Sequence, residues 1–197
     1  MPRSAEQSAL LREKRRAKIL QKALKLFANL SFDDLTIDDI AKACNCSHGL
    51  CYHYFKSKEA VYNALMEERH KKHPEWECPT EKILEVGGYK GLELALQYIN
   101  DRLHDSETAV LYLELDLHRP FTTLKKSEPL LGEDFYTFFY KLVKKGRDDG
   151  DIIFGDPEDI ATLIIDAAIG ATTRRLCLGN PSFKTADIQL MLSLAHR

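Results

Sequence analysis

Five side chains able to bind a metal or change redox state fall within ten residues of one another: Cys44, Cys46, His48, Cys51 and His53. Zinc takes thiolate and imidazole ligands, and a pair of thiols can be oxidised. Position argues for a plainer role. Ile37, Ile40, Ala41 and Cys44 stand at i, i+3, i+4 and i+7, the buried stripe of a short helix, so Cys44 falls among apolar side chains. A free cysteine in such a place is a small hydrophobe. The thiols are therefore expected to fill a core, and neither a metal nor another cofactor is expected. Enzyme chemistry finds no better foothold. The chain has no Gly-rich phosphate loop, no Gly-x-Ser-x-Gly elbow and no His-Glu-x-x-His pair. Its carboxylates are scattered over polar helix faces, and no enzyme is expected.

The 197 residues are 44% apolar and 29% charged, with only 7 Pro and 10 Gly, which excludes a disordered or collagen-like chain. Uncharged apolar runs such as that around Ala167–Thr173 are too short to span a bilayer. The opening Met1-Pro2-Arg3-Ser4 carries no apolar signal segment, so a soluble cytoplasmic protein is expected. Five cysteines cannot all pair within one chain, and a reducing compartment keeps them free. The formal net charge of −2 hides an asymmetry. Residues 1–72 hold 14 Lys and Arg against 9 Asp and Glu, and the remainder holds 14 against 21. A basic first part and an acidic second part imply different partners.

The elements that position these groups read as helices throughout. Ile19, Ala23, Leu26, Phe27 and Leu30 give an apolar stripe on a helix from about Glu13 to Asn29, with Arg15, Arg16, Lys18, Lys22 and Lys25 on the opposite face. Thr36, with Asp39 three residues on, caps the next short helix. Asn45 tolerates left-handed backbone angles and suits a sharp turn. Ser47 then caps a helix over about His48–Tyr54, and Ser57 a longer one. The segment His73–Pro79 breaks the pattern. Beyond it, stripes through Leu92–Leu103, Val110–Leu115 and Phe135–Val143 mark further helices, the last closed by Gly146. Pro157 opens a helix to about Cys177, and Ile188, Leu190, Met191 and Leu194 a final one over about 183–196. No strand-like alternation is seen, so the fold class is all-α.

Two short capped helices joined by a tight turn, between longer helices, describe a helix-turn-helix. The first braces, and the second lies in the major groove of duplex DNA. Residues 36–55 meet that geometry, and the basic balance of the first part suits a phosphate backbone.

At this level of detail the sequence resembles a family. Ile19-Leu20, Ala23, Leu26-Phe27, Phe32, Thr36-Ile37, Asp39-Ile40-Ala41, Ser47, Gly49, Tyr52, Phe55 and Ser57-Lys58-Glu59-Ala60 resemble the amino-terminal domain of the TetR (TetR/AcrR) family of bacterial transcriptional regulators. The resemblance implies a DNA-binding head over 1–58, a connecting helix over 57–72, and a helical effector-binding and dimerisation domain over 73–197. It also implies DNA contacts at Thr36, Ser47, His48, Gly49, Leu50, Tyr52, His53, Tyr54 and Lys58. Thr36 and Ser47 present helix starts to phosphate, and Gly49 permits close approach. His48, Leu50 and His53 face base edges, Tyr52 and Tyr54 reach phosphates, and Lys58 supplies an ionic contact. The chain departs from the family's usual turn, Ala-Gly-Val, with Cys44-Asn45-Cys46, and from its usual Thr-Leu with Leu50-Cys51. Leu50 thus exchanges a hydroxyl for an apolar surface suited to a thymine methyl group.

The second domain is expected to hold a small-molecule effector among Tyr89, Tyr98, His104, Tyr112, Phe135, Phe138 and Phe139, with Phe121 and His118 nearby. The run Leu163–Ala171 is apolar on more than one face, as a homodimer interface would be. The expected function is a ligand-released repressor on a palindromic operator in double-stranded DNA. The alternative is a helical metabolite or redox sensor whose head binds a protein partner.

Overall fold

A computed structural model describes residues 5–30, 32–118, 134–152, 155–179, 184–185 and 188–193. Phe121 and parts of the expected closing helix lie outside them. The described residues fall into two units, one ending at Pro74 and one beginning at Glu75.

The first unit contains α1 (Ala5–Asn29), α2 (Ile37–Ala43), α3 (His48–Tyr54) and α4 (Lys58–Lys72). Its core forms where apolar spacing permits: Ile19, Leu20, Ala23 and Phe27 of α1 are buried, as are Ile40, Cys51, Val61 and Leu65 of the other three helices. Phe27, Phe32 and Tyr62 form an aromatic trio with ring centres 5.6–5.8 Å apart, one pair stacked and two edge-on. One expectation needs correction. α1 starts about two turns earlier than expected, at Ala5 rather than near Glu13, and no described side chain ahead of Ile19 is buried. The forerun carries no buried apolar stripe to mark it in the sequence, and its Leu10 is 53% exposed.

The second unit contains α5 (Thr80–Val86), α6 (Gly88–Leu103), α7 (Glu107–Leu117), α8 (Phe135–Asp148), α9 (Pro157–Leu178) and α10 (Ile188–Ser193), after a short 3-10 turn at Pro74–Trp76. Leu92, Leu96, Leu113, Phe138, Phe139, Leu142 and Ile165 form its core. Every residue of α7 from Ala109 to Leu117 is buried, so this helix is covered on all sides. Buried Arg175 of α9 donates from Nε to the Leu103 carbonyl at 2.9 Å and from Nη2 to that of Asp105 at 3.1 Å. It thereby satisfies carbonyls around the end of α6 that no helical N–H reaches. Gly146 does not close α8 as expected, for the helix continues to Asp148. Its role is steric: a Cβ there would lie 2.7 Å from Ile152 Cδ1 and 3.1 Å from the Gly88 Cα. Among the described residues there is no strand, and no helix is long and apolar enough to cross a membrane.

Candidate nucleic-acid interface

The two-helix unit is built by local chemistry. Thr36 Oγ1 accepts from the Asp39 N–H at 3.2 Å, and the Asp39 carboxylate accepts from the Thr36 N–H at 3.1 Å, completing a reciprocal cap at the start of α2. The Thr36 hydroxyl, and then its backbone N–H, hold the Asp39 carboxyl below its ordinary range. Asn45 takes φ 51°, the left-handed turn expected of it. Ser47 Oγ then accepts from the Leu50 N–H at 3.2 Å and starts α3.

The turn leaves α3 with two sides. Cys51 and Phe55 point inward and are buried, with Cys51 fully enclosed. His48, Gly49 and His53 are exposed, while Leu50, Tyr52 and Tyr54 are half-buried beside them. The thiols behave as their positions suggest. Burial, then the neighbouring Cys46 and Cys44, pushes the Cys51 thiol up to about 11, and burial raises Cys44 as well. Both are therefore held protonated at neutral pH, the form that neither ligates zinc nor attacks an oxidant well. Cys46 is half-buried.

The exposed side is ordered before any partner arrives. His48 Nδ1 meets Asp38 Oδ1 of the brace helix, and the His48 ring lies 4.4 Å from that of Tyr52. The His53 and Tyr54 rings pack edge-on at 5.3 Å. Lys58, expected to meet phosphate, donates from Nζ to the carbonyls of Phe32 and Asp33 and sits 4.8 Å over the Phe32 ring. It ties the loop before α2 to the start of α4. Thr36 likewise has its hydroxyl committed to the cap, in a first turn that carries Asp38 and Asp39.

Gly49 is the residue that folding does not explain. A Cβ built on it meets no atom within 4 Å, and its backbone angles are ordinary. A methyl group fits there as far as the described residues are concerned, and alanine would favour the helix by up to about 1 kcal/mol. Only one other described glycine shares both properties, Gly170 on α9.

The seven residues expected to line an effector pocket take several kinds of place among the described residues. Phe135, Phe138 and Phe139 pack against one another at 5.1–6.2 Å in the core. The half-buried Tyr98 donates its hydroxyl to the Trp76 carbonyl at 2.5 Å, and Tyr112 lies against Trp76 at 6.1 Å. Tyr89 is half-buried, and exposed His104 bonds back to the Asn100 carbonyl. Among the described residues an apolar cleft of about 70 Å³ opens between α6 and α9, lined by Leu96, Ile99, Leu103, Ile164 and Ala168, with Asn100 and Arg174 among its polar neighbours. Aliphatic spacing on two separate helices gave no signal of it. A site for a drug-sized molecule needs several hundred Å³, so an effector would have to widen it.

Capped brace, left-handed turn and capped exposed helix define a helix-turn-helix protein. Residues 19–65 match the family described as "Bacterial regulatory proteins, tetR family". Over 48 residues the chain is 42% identical to an HTH-type transcriptional regulator of Bacillus subtilis, YuxN. Over 45 it is 40% identical to IcaR of Staphylococcus aureus, the negative transcriptional regulator of the biofilm operon icaADBC. These stretches cover 24% and 23% of the chain but only 16% of YuxN and 24% of IcaR. The whole fold has solved counterparts. An HlyIIR mutant superposes with a TM-score of 0.63 over 94% of this chain and 98% of its own, at 18% identity. The fatty acid degradation regulator FadR of Bacillus halodurans does so at 0.52 over 93% and 97%, at 16% identity. Over residues 19–65 the head of this chain is thus similar to the amino-terminal domain of tetR-family regulators, and the described residues have an all-helical fold like that of these solved structures.

Proposed function

We propose that the chain is a sequence-specific DNA-binding transcriptional regulator, a repressor that works in the cytoplasm as a homodimer and releases a palindromic operator when a small-molecule effector binds its second unit. Gly49 carries the reading. A bare backbone on the exposed face of a capped helix lets that helix come closer to a surface than any side chain would allow, and the major groove admits a helix. His48, Tyr52 and His53 then stand where they meet base edges and phosphates. Leu50 offers an apolar contact for a thymine methyl, and Tyr54, Thr36, Ser47 and Lys58 complete or brace the contact surface. The description of IcaR as a negative regulator supports repression as the sign of control. The protein-binding sensor alternative has less support, since the Cys44 and Cys51 thiols are buried and held protonated.

Release follows from linkage between two sites. An effector that binds one dimer shape better than another draws the population to it, and a hundredfold loss of operator affinity needs a coupling of ~3 kcal/mol. A gel-shift titration with the promoter beside the protein's own gene tests the reading. Retarded duplex that resists a large excess of unrelated DNA is expected, whereas equal competition by any duplex would leave no sequence-specific regulator.

A further inference from the structure

The helix-turn-helix accounts for α3, but not for a helix that runs about 21 Å ahead of the head's core at 1.5 Å per residue. Residues 5–18 precede the stretch that matches the family, and none of their described side chains is buried. Their charge is concentrated. Arg12, Lys14, Arg15, Arg16 and Lys18 fall within seven residues, against Glu13 alone.

This basic segment is not directed at random. Arg16 and Arg12 continue the stripe of Ile19, Ala23 and Phe27 toward the amino terminus, replacing core contacts by cations once the core ends. The Arg16 guanidinium sits 5.3 Å over the ring of Phe55, the residue that caps the end of α3. This corrects the expectation that Arg16 lies on the face opposite the core. Lys18 and Lys22 are close enough to the Cys44 thiol, at the α2–α3 turn, to act on it electrostatically. The cations of α1 thus flank both ends of α3: Lys18 and Lys22 beside the turn where it starts, Arg16 where it finishes.

We infer that the turn bearing Arg12, Lys14 and Arg15 is a second DNA contact, gripping backbone phosphates outside the groove segment that α3 enters. The inference rests on the DNA-binding reading above and extends it. Duplex DNA presents one phosphate charge per ~1.7 Å of axis, so three long cationic side chains on a turn rising about 5 Å can reach two or three of them without reading a base. The contact adds affinity and footprint but no sequence preference. Arg16 acts as the positioning residue, its stacking on Phe55 fixing where the turn points.

The test compares the full-length protein with the triple variant Arg12→Gln, Lys14→Gln, Arg15→Gln, and with a charge-keeping control, Arg12→Lys, Lys14→Arg, Arg15→Lys. Operator affinity is measured against salt, and backbone cleavage footprints are recorded. The glutamine variant should flatten the plot of log affinity against log salt by roughly 2 to 3, at ~0.9 per phosphate lost. Its footprint should shorten at the outer flanks while base preference stays put, and the control should match the wild type. If the wild type binds and the glutamine variant keeps its slope and flanks, the second contact does not exist. If the variant changes base preference instead, the segment reads sequence and the phosphate assignment is wrong. A wild type that ignores DNA altogether sinks the underlying reading rather than this extension.

Discussion

Replacing Gly170 by arginine is expected to leave a folded monomer that holds a two-half-site operator at least a hundredfold more weakly than the parent. The first half of that expectation is intramolecular. Gly170 lies in mid-helix on the exposed side of α9, and a Cβ there meets nothing within 4 Å. An arginine fits the monomer without displacing a neighbour and raises helix propensity by up to about 1 kcal/mol. The second half concerns the proposed dimer. Leu163, Asp166, Ala167, Thr173, Arg174 and Cys177 are exposed with Gly170 on this strip, Leu163 to 53%. If two copies cross antiparallel with Gly170 on the two-fold axis, Asp166 of one protomer lies across from Arg174 of the partner subunit, and Leu163 from the partner's Cys177. A guanidinium at the axis would meet its own image at the closest approach of the helices. A single head then loses the effective concentration that its tethered twin supplied, a factor of about 10² or more. Sedimentation equilibrium and fluorescence anisotropy check the two halves separately. A variant still dimeric at micromolar concentration would place the interface elsewhere.

A pH-dependent stability is expected from Glu114, and its sign is fixed by burial. Glu114 is 3% exposed on a helix covered on all sides, and its Oε2 has no hydrogen-bond partner. Removal from water pushes its carboxyl from 4.5 up to about 7. Between those values the unfolded chain has released the proton that the folded chain keeps. The stability from the neutral carboxyl is therefore full below about pH 4.5 and gone above about pH 7, a swing on the order of 3 kcal/mol. His118 Nδ1 lies 3.3 Å from Oε1, on a ring that is 46% exposed. Glu114→Gln keeps the shape and removes the titration. Urea unfolding should show the variant near the parent at pH 5 and clearly more stable at pH 8. A difference that is the same at both values would mean the buried carboxyl does not change charge in that window.

What the sequence made legible was chemistry acting over a few residues. The cap at Thr36, the left-handed Asn45 and the cap at Ser47 stand where their side chains predict them, since each satisfies backbone groups within three positions of itself. Cys44 and Cys51 were readable as core because apolar period and thiol size agree. Longer-range facts were not. The forerun of α1 has no apolar period to find, and the place of Arg16 depends on Phe55, 39 residues away in the chain. Gly146 read as a helix end because its reason, the nearness of Ile152 and Gly88, exists only in three dimensions. Phe135, Phe138 and Phe139 pack on one another in the core, a place that helical spacing alone does not separate from a pocket wall. Gly49 and Gly170 appear in the sequence as weak points of two helices. Only the empty space around each shows that neither answers to the fold.

That pair of glycines also supplies the most direct trial of the central claim, that the outer side of α3 lies against the duplex. Thermal unfolding and operator titration are run in parallel on the parent and on Gly49→Ala. The expected result is opposite movement: a fold at least as stable as the parent's, and operator affinity lower by tenfold or more, about 1.4 kcal/mol. Unchanged affinity in a variant that folds as well or better would contradict the account, because the missing side chain would then be making room for nothing.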